Sequence, residues 1–325
     1  MAESRALFGA MQETSPRGGD GARSPAPFAG AKGPGSTPRV RPGASRRYLI
    51  QRLGFALLAL ATLVVVVPIL LVVGTIVVRG IRAISWEFLT AMPSNGMKSG
   101  GIFPAIVGTI LLVLGTALAA IPFGVGGAIY LSEYARDTKT TRAIRLAIIN
   151  LAGIPSVVYG LFGLGLFVLF LRFGTSIAAG ALTLAIMTLP VVISTSEEAL
   201  RAVPVEYRTV NASLGGTRWQ GIRRVVLPQA LPGITTGVIL GLLRAAGETA
   251  PILFTAAAFY LPSLPRSPFD ETMALPYHLY VISTQVPGMP LQIQYGTALV
   301  LLLLALFMNI VASVIRYYFR RRRQW

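Results

Sequence analysis

Arg244 and Glu248 are the residues whose types and spacing point first to chemistry. They lie four apart in an otherwise apolar stretch, so on a helix they share a face. Charges inside a membrane span are costly enough to mark a functional site. The guanidinium of Arg244 offers planar, paired donors that suit a tetrahedral oxyanion. Glu248 would hold that group in place and keep an anion from binding too tightly to leave. The competing account is a buried ion pair that only fixes helix register. Counted from Pro228 at the helical rise, Arg244 lies about 24 Å along its helix, at or beyond mid-membrane for a tilted span. Ser156 and Tyr159, behind Pro155, are neutral donors that could line the same path, and packing explains them equally well. Glu197, Glu198 and Arg201 close an earlier apolar run. They are candidates for a gate or for an ion pair with the polar segment after them, with ordinary interfacial charge as the alternative.

The composition places these residues in a membrane. The chain has 325 residues, of which 54% are hydrophobic and only 13% charged, and its mean hydropathy is +0.66. Soluble domains carry about a quarter of charged residues. Residues 53–78 hold no charge, which is more than the roughly 20 residues needed to cross a bilayer. Further apolar runs place spans at about 103–131, kinked at Pro122, and at 146–171, 176–195, 228–258 and 295–315. The fold class expected is therefore an all-α polytopic membrane protein with six transmembrane helices. The membrane domain covers residues 50–319. Residues 1–45, rich in Gly, Pro, Ser and Arg, read as a disordered tail and not as a secretory signal. Residues 320–325 form a basic end, and 273–284 make a piece too short and broken to span, expected as an interfacial helix.

No cysteine is present, which removes disulfides and thiol chemistry, and the single His278 cannot build a histidine metal cluster. No catalytic residue and no metal site is expected. With the N-terminus inside, 23 of the 29 Lys and Arg fall in cytoplasmic pieces, five outside and Arg244 alone in a span. Basic residues collect on the cytoplasmic side of membrane proteins. Both termini and the polar segment 197–227 are thus expected in the cytoplasm, and the net charge of +17 reflects topology and not nucleic-acid binding.

The polar segment reads as a helix-turn-helix. Pro204 suits a first turn, and Val203, Tyr207, Val210 and Leu214 make one apolar face. Gly215 and Gly216 break the helix, and a second short one follows with Arg218, Trp219 and Ile222 before Leu227 and Pro228. Such a hairpin could fit a groove on a partner, or rest on lipid headgroups. Gly215, nine residues and then Val225-Val226-Leu227-Pro228 resemble the core of the "EAA" loop of bacterial ABC-transporter permeases. The Glu-Ala-Ala triplet of that loop would fall on Thr209, Val210 and Asn211, so this sequence departs from it. The stretches NLAGIPSVVYGLFGLGLF, TLPVVISTSEEALRAVP, LGGTRWQGIRRVVLP and RAAGETAPILFTA narrow the resemblance to the permease subunits of phosphate importers, from about residue 50 to the C-terminus.

That resemblance implies a type I ABC importer permease architecture in the bacterial plasma membrane. It implies a second, related permease subunit, two ATPase subunits docked on Tyr207, Arg208, Thr209, Val210, Asn211, Leu214, Gly215, Arg218, Trp219, Leu227 and Pro228, and an external phosphate-binding protein. ATP and Mg would sit on the ATPase. In agreement, none of Lys32, Lys98 and Lys139 follows the glycine that a nucleotide-binding P-loop requires. The alternatives are a permease for another oxyanion such as molybdate or sulfate, and a scaffold or sensor subunit that moves nothing.

Overall fold

The computed structural model describes residues 44–321 apart from Leu214 and Pro262. Most of the tail expected over residues 1–45, and the end of the basic stretch, 322–325, lie outside the described residues. The chain divides at Val64 into two units. The described part of the first belongs to α1 (Ala44–Gly80). From Tyr48 to Val64 its side chains are exposed and mostly apolar, as a lipid-facing helix requires.

The second unit holds the end of α1, a short α2 (Trp86–Thr90) and a two-stranded turn of β1 (Pro93–Ser94) and β2 (Ser99–Gly100). The bundle follows: α3 (Phe103–Ile129), α4 (Lys139–Ala152), α5 (Ser156–Gly163) and α6 (Ile177–Arg201). Next come α7 (Val205–Ser213), α8 (Arg218–Gly221), α9 (Leu227–Gly247), α10 (Ala250–Thr255), α11 (Leu275–Thr284) and α12 (Leu291–Arg321). Five helical runs among the described residues are long and apolar enough to cross a membrane, and the bent pair of α4 with 156–170 makes a sixth. The all-α polytopic expectation is met.

Two expected spans differ at a proline, and a third runs further than expected. The span at 146–171 is not one helix: α4 and the run from Ser156 meet at 101°. Pro155 has no N–H for the carbonyl of Leu151 four residues back. Ile154 N–H (3.1 Å) and the hydroxyl of Tyr159 (2.8 Å) take that carbonyl instead. The span at 228–258 is interrupted, because a helix continued through Pro251 would leave Gly247 O without its donor. The chain becomes extended at Glu248 and restarts as α10, with Pro251 in its first turn. The same helix does not start at Pro228. It runs without a break from Arg218 to Gly247, and a π turn (Ile222–Val226) immediately precedes the proline. Finally, α6 continues to Arg201, so Glu197, Glu198 and Arg201 sit in its last turns and not in a loop.

α3, α6 and α9 form the centre, in contact through small residues as expected for helices in lipid. A first core gathers Ile102, Leu112, Leu184, Met187, Ile252 and Met273. A second gathers Val192, Leu200, Val203, Val226, Ala230 and Ile234, at the end that carries α7. α11, in the piece expected as an interfacial helix, packs into the bundle. Leu275, His278, Val281 and Ile282 are buried, and Leu275 N–H donates to Thr109 Oγ1 of α3 at 2.8 Å. The approach of that segment to α3 demands glycine at position 108, where a Cβ would overlap the carbonyl oxygen of Met273 and the hydroxyl of Thr272. Gly126 on the same helix has nothing within 4 Å of an added Cβ. Gly108→Ala should therefore cost about 1–3 kcal/mol of stability, while Gly126→Ala costs nothing. Thermal unfolding of the two variants in detergent checks this, and equal melting temperatures would contradict the packing.

Candidate functional site

Arg244 sits in the last turn of α9, and Glu248 is the residue at which the chain leaves that helix. Arg244 Nε lies 3.5 Å from Glu248 Oε1, with the two side chains 42% and 17% exposed. The break made by Pro251 thus aims the carboxylate back along the helix at the guanidinium. Nε is engaged, and among the described residues neither Nη group has a hydrogen-bond partner. A partly exposed guanidinium deep in an apolar helix has no place against lipid. It must face a water-filled lumen or a partner helix.

The other expected path residues divide. Ser156 is half-buried at the start of α5. Tyr159 is buried in the first core, with its hydroxyl given to Leu151 O. That donor is committed to the backbone freed by Pro155 and is not free to line a path.

The expected gate residues form a cluster with partners that the spacing did not reveal. Glu197 is buried and accepts from Arg145 Nε of α4 at 2.8 Å and from Arg201 Nη2 at 2.9 Å. Arg145 Nη2 also donates to Leu131 O, just past α3, at 2.9 Å. Glu198 is exposed beside them. The expected ion pair between this group and the polar hairpin does not form. That pair comes instead from Glu133, in the π turn Tyr130–Tyr134 that extends α3. Arg208 Nη2 lies 2.9 Å from Glu133 Oε1, and Nε lies 3.3 Å from Oε2. Arg208 Nη1 donates to Val203 O at 2.6 Å, and Nη2 also donates to Leu200 O at 2.9 Å. Arg208 therefore points into the bundle and is not available to a docked partner. Nearby, Arg142 holds the exposed Asp137 carboxyl below its usual range, first through a hydrogen bond and then through its charge.

The hairpin itself is well specified. Gly215 turns the chain with φ +72°. Thr217 and Gln220 form a reciprocal capping box at the start of α8. Asn211 fills the space between Gly216 and Gly221, donates to Thr217 O at 3.2 Å, and receives Gly216 N–H at 3.0 Å on its carbonyl. Of the expected apolar stripe, Val203 is buried in the second core, whereas Tyr207 is exposed. Val210 lies on α7, and Leu214 is outside the described residues. The exposed face carries Tyr207, Thr209 and Trp219, with Arg218 over the ring of Tyr134 at 6.0 Å. Leu227 and Pro228 are half-buried where α9 begins. Behind the hairpin a cleft of about 720 Å³ is lined by Glu133, Arg201, Arg208, Asn211 and Arg218 among others. Glu133 and Arg145 lie between the spans expected at 103–131 and 146–171, and spacing gave neither a partner. The signal available was that Glu133 ends a long uncharged run.

Residues 120–325 match the family described as binding-protein-dependent transport system inner membrane component. The chain is 34% identical over 289 residues to phosphate transport system permease protein PstA 2 of Mycobacterium tuberculosis, covering 89% of this chain and 95% of that one. It is 32% identical over 283 residues to the probable ABC transporter permease protein YqgI of Bacillus subtilis, covering 82% and 95%. Among solved structures it resembles a bacterial ABC transporter involved in the import of the acidic polysaccharide alginate, with a TM-score of 0.60, 15% identity and coverage of 86% and 100%. It also resembles the MetNI methionine ABC transporter in inward-facing form, with a TM-score of 0.55, 15% identity and coverage of 70% and 99%. These structures share the fold of importer permeases, and the relatives bear out the resemblance read from the motifs.

The packing of Asn211 can be tested on its own. A Cβ on Gly221 would lie 2.7 Å from Asn211 Nδ2, so Gly221→Ala should loosen the hairpin by about 1–3 kcal/mol. Asn211→Ala in the same chain should restore it. Limited trypsin digestion at Arg218, Arg223 and Arg224 reads the local opening, and a double variant cut as fast as the single one would refute the contact.

Proposed function

We propose that this chain, which belongs to the family of binding-protein-dependent transport system inner membrane components, forms half of the translocation path of an ATP-driven importer of inorganic phosphate. The observation that carries the reading is the Arg244–Glu248 pair at the interruption of a membrane helix. The names of relatives that match most of the chain support phosphate as the ion.

The chemistry follows from the pair. The free Nη edge of Arg244 receives two oxygens of a tetrahedral oxyanion in one plane. Glu248 competes for the same guanidinium, so the anion gains less than it would from an unpaired arginine and is released when the helices shift. A site for passage requires such moderate binding. The chain performs no covalent step. ATP hydrolysis belongs to a docked pair of ATPase subunits, which grip the exposed face of the α7–α8 hairpin around Tyr207, Thr209 and Trp219. A second, related permease covers the open side of Arg244, and an external phosphate-binding protein delivers the ion. The excess of Lys and Arg in alternate connections supports a cytoplasmic location for both termini and the hairpin.

The test is uptake by the assembled complex in proteoliposomes. Arg244→Gln should lower phosphate uptake by about tenfold or more, the loss of one charge-assisted contact, while the ATPase still co-purifies. Unimpaired uptake by that variant would sink the path role. A wild-type preference for molybdate or sulfate over phosphate would move the assignment to another oxyanion.

A further inference from the structure

We infer that the Glu133–Arg208 bridge is the strut that carries movement of the hairpin into α3, and that Arg145 passes it on to α4 and α6. This rests on the reading of the hairpin as the ATPase docking element.

The geometry leaves few other routes. Behind the hairpin lies the cleft of about 720 Å³, so over much of its area α7–α8 stands away from the bundle. A cleft transmits no push, because its walls have no atoms in contact across it. Where the hairpin does meet the bundle, it does so along its two covalent runs, from α6 through buried Val203 into α7 and from α8 through the π turn into α9. It also does so through Arg218 over the ring of Tyr134, and through the four-bonded side chain of Arg208. One guanidinium there makes four hydrogen bonds, two to Glu133 and two to carbonyls at the end of α6 and just beyond it. A planar fork paired with a carboxylate fixes angle as well as distance. With side-chain exposures of 28% and 9%, the pair is little screened by water.

The contact continues on the far side of α3. Leu131, two residues before Glu133, gives its carbonyl to Arg145 of α4, whose Nε is held by buried Glu197 of α6. Arg201, one turn further along α6, holds the same carboxylate oxygen. Displacement of α7 thus reaches α3 at Glu133, α4 at Arg145 and α6 at Glu197 through bonds of 2.8–2.9 Å. Both helices flanking the cleft are π-wound beside it, at 130–134 and 222–226. Such turns are widened and often sit at functional sites.

A purely structural bridge and a strut differ in one readout, the number of ATP molecules hydrolysed per phosphate imported. The complex of full-length subunits is reconstituted with its binding protein, and hydrolysis and uptake are measured on the same vesicles. Glu133→Gln should leave the ATPase bound but raise that ratio about fivefold or more, the lower range of an allosteric coupling. An assembled Glu133→Gln complex with an unchanged ratio overturns the inference. If that variant does not assemble, Arg208→Lys decides: it keeps the charge and loses the fork, so an unchanged ratio there overturns the inference equally. The docking reading has its own arm. ATPase binding that survives Tyr207→Ala with Trp219→Ala refutes the docking reading, whatever Glu133→Gln does.

Discussion

A proline in a membrane helix withdraws one N–H from the only available supply of backbone donors, since the surrounding hydrocarbon offers none. Pro155, Pro228 and Pro251 each do so, and each lies next to a functional feature. Pro155 sets the sharp bend after α4, and Tyr159 and Ile154 repair the carbonyl it orphans. Pro228 is preceded by the π turn through which the hairpin joins α9. Pro251 ends α9 so that Glu248 can reach back to Arg244. Several threonines in the spans are satisfied locally. Thr109, Thr183 and Thr255 each donate to the carbonyl four residues back. Among the described residues the ion pairs fall in two places, at Arg244–Glu248 and around the ends of α3, α4 and α6.

The two places use ion pairs differently. At the helix ends the pairs are short, and Glu197 is shared by two arginines while Arg208 donates to four acceptor atoms. A buried pair of that kind is not worth much as stabilisation, yet removing one partner is costly because the other is stranded. It fixes geometry. At Arg244 the separation is longer and the guanidinium nearly half exposed. That pair is open to competition, which a passing anion needs and a brace must avoid.

Much of the architecture was legible in the sequence because hydrocarbon thickness sets a length scale that uncharged runs report directly. The spans, the hairpin and its Gly215 break follow from run length and from residue type. What stayed hidden was tertiary. No periodicity told Arg208 from Arg218, although one is buried in bonds and the other lies over Tyr134. The direction of Tyr159 depended on a carbonyl freed four residues before Pro155. The pairing of Glu133 with a residue 75 positions away had no local signature. Sequence spacing selected the right segments, and packing decided which side chains in them face a partner.

The missing acidic triplet shows the same division. Where related loops carry Glu-Ala-Ala, this chain has Thr209, Val210 and Asn211. Asn211 is wider than alanine, and it is accommodated because positions 216 and 221 are glycine; its amide then closes the turn on Thr217 O. The hairpin is therefore held by an internal staple and by Arg208 behind it, and its backbone does not depend on an acidic side chain. Thr209, at the position of the absent glutamate, is exposed and neutral. The face offered to a partner then carries the rings of Tyr207 and Trp219 with Thr209, and Glu206 and Arg218 are exposed on the same hairpin. Recognition of the two rings rests on shape and apolar burial, and they lose little entropy when they are seated. The acid that this loop lacks at position 209 has a counterpart on its inner side in Glu133, which serves the bundle and not the partner.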